Sequence, residues 1–239
     1  MIVEYEGTKY HGFQQQKNVN TVQEKIEKSI NRFTGEKIMI NGASRTDAGV
    51  HAMGQVVAFD SDSEYCSATF LKALNYYLPE DIAVKKVWSV SDDFDPRRDA
   101  VSKVYRYSIL NSRTPSPLIR RSVTVVKDKL DLHIMNQGAR LFLGKHDFSP
   151  FTCASEVKMK YTIREILKSR MDRIGDILQY TVEGKSFLRY QVRRMVGTLV
   201  KVGRGGMELD ELNKVINGYE FMVTDRMPAE GLCLYKVNY

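Results

Sequence analysis

The apolar residues of this chain take the period of a strand, a helix, two strands, a helix and a strand, and that order occurs twice. In the first half, Met1–Glu6 is apolar and β-branched enough for a strand. Thr21 and Glu24 form a capping box for a helix on which Val22, Ile26, Ile30 and Phe33 recur at helical spacing, up to Gly35. Lys37–Ile40 and Gly54–Phe59 read as strands on either side of a polar loop. Ser67 is placed to cap a helix that turns Phe70, Leu71, Leu74 and Tyr77 inward and ends before Pro79, and Ile82–Trp88 alternates as the fourth strand. In the second half, Tyr105, Tyr107 and Ile109 alternate, and Asp131 caps a helix running to Gly144. Thr162–Ser169 and Ile177–Glu183 flank a turn, and an amphipathic helix spans Phe187–Val202. A short helix then runs to Gly218, and Leu232–Val237 closes as a strand. The repeated order predicts an α/β (α+β) protein of two ferredoxin-like β-α-β-β-α-β halves, residues 1–100 and 101–239. They are expected to join across a mostly antiparallel mixed sheet, with helices on one face and a cleft between the halves. Asp92–Ser102, charged and carrying Pro96, reads as the connection.

Charge narrows the partner. Lys and Arg number 36 against 29 acids, a net charge of +7 that favours a polyanion. The three cysteines, Cys66, Cys153 and Cys233, have no paired spacing and fit a reduced intracellular protein. Four scattered histidines offer no metal-binding spacing, so no metal is expected. No apolar run approaches the ~20 residues of a membrane span, which makes a cytoplasmic protein with no membrane partner the expectation.

The polar loop Asn41–His51 is longer than a hairpin needs and packs Arg45, Thr46, Asp47 and His51 between apolar strands. A lone Asp in a Gly-rich turn ordinarily caps a backbone N–H. A long loop carrying an acid, a base and a guanidinium between rigid elements is instead how many sites are built.

Ser44-Arg45-Thr46-Asp47-Ala48-Gly49-Val50-His51-Ala52 resembles the catalytic loop of the TruA family of tRNA pseudouridine synthases. Tyr5–Gln14 is similar to that family's opening motif, and Val22-Gln23-Glu24 follows in order. Lys103–Tyr107, Phe187–Gly197 and Ala229-Glu230-Gly231-Leu232 match further family segments, so the resemblance covers nearly the whole chain. It departs at Phe94-Asp95-Pro96-Arg97-Arg98, where many bacterial members have Phe-His-Ala-Arg, and at Phe13, where Trp is common.

The resemblance implies an isomerase that converts uridine to pseudouridine in the anticodon stem-loop of tRNA, acting as a homodimer. It implies that Asp47 is catalytic, that Arg193 pairs with it, that Tyr105 stacks on the flipped base and that Arg45 fills the space the base leaves. Leu232 joins the substrate-binding set through its motif. No atom is gained or lost in the reaction, so no cofactor is called for. Arg97, Arg98, Lys103, Arg106, Lys158, Lys160 and Arg189 are candidate phosphate contacts, and His51 and Cys153 stay unassigned.

Two other readings compete. One is a non-catalytic RNA-binding protein of two ferredoxin-like halves, which leaves the Asp47 loop without a purpose. The other is a metal-dependent nuclease using Asp92, Asp93 and Asp95, although Arg97 and Arg98 beside them suit acid or phosphate pairing better.

Overall fold

A computed structural model of the 239-residue chain describes residues 1–153, 157, 161–219 and 225–239. Its contacts divide it into two compact units, Met1–Val101 with Cys233–Tyr239, and Ser102–Leu232. The architecture is mixed α/β with mostly antiparallel strands, as the periodicity predicts.

In the first unit, β1 (Ile2–Tyr5) and β2 (Asn41–Gly42) each pair antiparallel with β3 (His51–Ala58), and β1 pairs on its other edge with β4 (Ile82–Lys86). The chain's closing strand, Leu232–Asn238, was expected in the second half. Its Cys233 and Leu234 pair in parallel with His51 and Ala52, which groups residues 233–239 with the first unit. Helix α1 (Val22–Thr34) starts where Thr21 Oγ1 accepts the Glu24 N–H at 3.4 Å and stops at Gly35, whose φ of 79° no β-carbon favours. Val22, Ile26 and Ile30 are fully buried along it. Helix α2 (Ser67–Tyr77) packs on α1 and β4, and Cys66 rather than Ser67 stands at its N-cap position, without a side-chain capping bond.

Lys37–Ile40 is not a strand. Side chains of α1 take up its backbone groups instead: Glu27 accepts the Ile40 N–H at 3.1 Å, and Gln23 Nε2 donates to the Ile40 carbonyl at 3.3 Å.

In the second unit, β5 (Ser102–Asn111) pairs in parallel with β6 (Thr124–Val126) and antiparallel with β9 (Ile177–Gly184). Beyond β9 lie β8 (Ile163–Ile174) and β7 (Gly144–Asp147), both antiparallel to their neighbours. The short β6 and β7 carry no alternation long enough to read from sequence. Helix α3 (Leu132–Leu141) is capped by Asp131, whose Oδ1 accepts the N–H groups of His133 and Ile134 at 2.8 and 3.2 Å. It packs on β8, on α4 (Gln191–Gly203) and on α5 (Leu209–Ile216). The expected stripe of α4, Leu188 aside, is its buried face: Val192, Met195, Val196 and Leu199. The helix itself begins at Gln191, a turn later than Phe187, because Tyr190 has a φ of 66° and cannot be helical.

Ile26→Ala should lower unfolding free energy by about 2–5 kcal/mol in urea titration, since it opens a cavity under α1. Arg32→Ala, on the exposed face of the same helix, should change it by less than about 0.5 kcal/mol.

Candidate active site

The loop that carries Asp47 is held through backbone atoms. The Phe13 N–H donates to the Thr46 carbonyl at 3.2 Å, and the Gly49 N–H donates to the Tyr10 carbonyl at 3.1 Å. The Gly7 N–H donates to Nδ1 of His51 at 2.9 Å, so that nitrogen carries no proton and His51 serves as a buried fastener. Gln55, fully buried on β3, closes the other side: its side chain accepts the Ser44 N–H at 3.1 Å and donates to the Ser44 carbonyl at 2.6 Å. Helix α1 anchors the opening segment, because the N–H groups of Val22 and Gln23 donate to the carbonyls of Gly12 and Phe13 at 3.2 and 3.0 Å.

Such close backbone contact leaves no room for a side chain at Gly7 or Gly12 of the opening segment. A β-carbon on Gly7 would lie 2.0 Å from the Val50 carbonyl oxygen. One on Gly12, whose φ is 96°, would lie 2.6 Å from that of Thr46. Phe13, buried, lies where Gly42 leaves space for its ring. Within the loop, exposure alternates. Thr46 is buried with its hydroxyl 2.8 Å from that of Tyr5, while Asp47 is half-buried and Arg45 exposed. The clamp thus presents a carboxylate and a guanidinium from a backbone that cannot shift freely.

The second unit places the remaining candidates. Tyr105, only 7% exposed, stands on β5 edge-on to Phe187, with ring centroids 5.2 Å apart and planes at 83°. Lys103 lies on the same strand face and is also buried, while Arg106 on the opposite face is half-buried. Leu232 is buried behind Gly231, where a β-carbon would come within 2.5 Å of the Tyr107 ring. Tyr107 itself is wholly buried, its hydroxyl 2.7 Å from Thr124 Oγ1 and donating to the Pro228 carbonyl at 2.8 Å. Burial pushes its phenol well above the ordinary range.

Arg193, 7% exposed on the first turn of α4, has a fixed orientation. Its Nε donates to the Met227 carbonyl at 2.7 Å, and its own carbonyl accepts the Met227 N–H at 3.2 Å. Gly197 allows this approach, since a β-carbon there would lie 2.1 Å from the Asp225 carbonyl oxygen. Arg189, expected beside Arg193 on one helix, lies before the helix start, yet both meet at Tyr190. The guanidinium carbons of Arg189 and Arg193 lie 4.8 and 5.7 Å from that ring's centroid, and that of Arg226 lies 4.3 Å away. Tyr190 and Arg226 had no signal in the spacing of the sequence.

Arg97 and Arg98 belong to the first unit. Asp95 accepts the backbone N–H groups of Arg98 and Arg97, each at 2.7 Å, and these bonds, Arg98's above all, hold its carboxyl below the usual range. The Arg98 side chain is engaged with Asp99 at 2.7 Å, while Arg97 is exposed. Lys158 and Lys160 lie outside the described residues. Among the described residues no group of three or more His, Cys, Asp or Glu could hold a metal, and no helix is long and apolar enough to cross a membrane.

Two α/β units, one presenting a carboxylate on a clamped loop and the other an aromatic strand beside an arginine-bearing helix, define the class: an α/β scaffold with an acidic-loop site. Residues 1–97 and 139–239 match the family model described as tRNA pseudouridine synthase. The chain is 44% identical to tRNA pseudouridine synthase A of Acetivibrio thermocellus, covering all of this chain and 98% of that protein. It is 40% identical to the proteins of the same name from Citrifermentans bemidjiense and Myxococcus xanthus, covering all of this chain and 96% and 91% of theirs. The chain belongs to the tRNA pseudouridine synthases, in the TruA family.

Gly7→Ala should force the loop away from the opening segment and cost about 1–3 kcal/mol in urea titration. Gly35→Ala, with nothing within 4 Å of its β-carbon, should incur only the left-handed backbone cost of about 1–2 kcal/mol and leave the loop in place. Hydrogen exchange at the Gly49 amide, faster only in Gly7→Ala, separates the two.

Proposed function

We propose that this chain isomerises uridine to pseudouridine in tRNA, with Asp47 as the catalytic carboxylate. The observation that carries the reading is the backbone clamp that fixes the Asp47 loop, together with family membership over the full chain. In the reaction the uracil N1–C1′ bond breaks, the base turns, and a C5–C1′ bond forms. The C5 proton is lost and N1 ends protonated, so atoms and electrons balance within the substrate. What the protein must supply is a fixed carboxylate to act as nucleophile or base, and surfaces that retain the detached base.

Tyr105 offers the base a stacking surface braced by Phe187, an interaction worth roughly 1–3 kcal/mol per base. Arg193, held by Met227, supplies the positive charge that keeps Asp47 ionised, and an Arg does this at any working pH. Arg45, exposed beside the carboxylate, occupies the place vacated by the flipped nucleotide, a role that suits a flat guanidinium. Leu232 adds an apolar wall. The anticodon stem-loop is the target region, a homodimer the working assembly and the cytoplasm its compartment. The exposed Arg97 is the more available phosphate contact of its pair, since Arg98 is engaged with Asp99.

Pseudouridine mapping in tRNA tests the reading. Asp47→Asn should abolish formation while leaving tRNA affinity within a few fold, and turnover near wild type would end the assignment. Tyr105→Phe should keep most single-turnover activity and Tyr105→Ala should lose it, because the ring rather than the hydroxyl stacks. Equal loss in both would remove the stacking role. Arg193→Gln should lower the single-turnover rate more than Arg193→Lys does, as charge is lost only in the first.

A further inference from the structure

Tyr190 gathers three guanidinium groups about one ring. Arg226, Arg189 and Arg193 lie 4.3, 4.8 and 5.7 Å from its centroid. The ring's negative face attracts each of them, but three like charges within reach of one another repel. Arg193 is buried and tied to Met227, whereas Arg189 and Arg226 are exposed. Neither of those two has an ion pair or a side-chain hydrogen bond among the described residues. Tyr190 holds this place from a backbone φ of 66°, which a bulky side chain rarely adopts, just where α4 begins. The left-handed turn sets the Tyr190 ring where Arg189 and Arg193 both reach it, and an anion would relieve the crowding of positive charge.

We propose that Arg189 and Arg226, gathered on Tyr190, form a binding site for a phosphodiester group of the RNA substrate. Each guanidinium presents a planar fork of N–H donors that matches phosphate oxygens. The aromatic ring preorganises them, so less side-chain freedom is lost when the phosphate arrives. The inference rests on the RNA-modifying reading above.

The test is tRNA affinity measured against salt concentration with an unmodified tRNA transcript. Arg189→Gln and Arg226→Gln should each reduce the steepness of the log–log slope by roughly 1, one phosphate contact apiece. Tyr190→Phe should bind as wild type does, while Tyr190→Leu should weaken binding, because the guanidiniums lose their platform. The control is Arg170→Gln, whose guanidinium is already paired with Asp172 at 2.9 Å. An unchanged slope in both Arg189→Gln and Arg226→Gln overturns the proposal, and so does an equal change in Arg170→Gln, which would reduce the effect to net charge. Competition by inorganic phosphate far beyond that of chloride at matched ionic strength would assign the site to free phosphate and also overturn it. Pseudouridine formation by the wild type on the same transcript tells this failure from failure of the enzymatic reading.

Discussion

A run of backbone hydrogen bonds from the first turn of α1, through Gly12 and Phe13, to Thr46 is what the Asp47 loop depends on. A carboxylate on a free loop would have to be ordered at each turnover, at a cost of about 1–2 kcal/mol per residue. Here the ordering is completed on folding, because the loop's carbonyl and amide groups are used by the opening segment and by Gln55. The clamp also explains why glycine stands at positions 7 and 12. Backbone meets backbone there, and a single methyl group would part the two segments.

A parallel device fixes Arg193 in the second unit. The segment of residues 225–227 lies directly on α4 at Gly197, and Met227 bonds both the side chain and the backbone of Arg193. An arginine carries about 2 kcal/mol of rotamer entropy when free, and much of that is already spent before any substrate binds. Tyr190 then ends the preceding turn in a left-handed conformation, which lets Arg189 reach the same ring as Arg193 without lying on the same helix.

Several features could be read directly from the chain because they are local. The capping pattern of Thr21 and Glu24, the apolar stripes of α1 and α4 and the strands around Tyr105 and Ile177 were all legible. Other features are decided by long-range partners. Lys37–Ile40 has strand-like residues but is held by Glu27 and Gln23 of α1. The start of α4 is hidden in the sequence because hydrophobic spacing continues through Leu188 and Tyr190, while the backbone turns at Tyr190. The strand β7, Gly-Lys-His-Asp, has no apolar alternation and exists through its pairing with β8.

The sequence by itself determined the order of most elements, the polar loop bearing Asp47 and the family to which the chain belongs, since periodicity and contiguous motifs are written in neighbouring residues. Only the tertiary structure decided that His51 is a fastener and that Lys103 is buried. It alone brought Arg226 to Tyr190 across a long stretch of chain. Those outcomes depend on which backbone groups and charges come within about 3–6 Å of each other, and residues far apart in sequence carry no spacing from which that distance can be read.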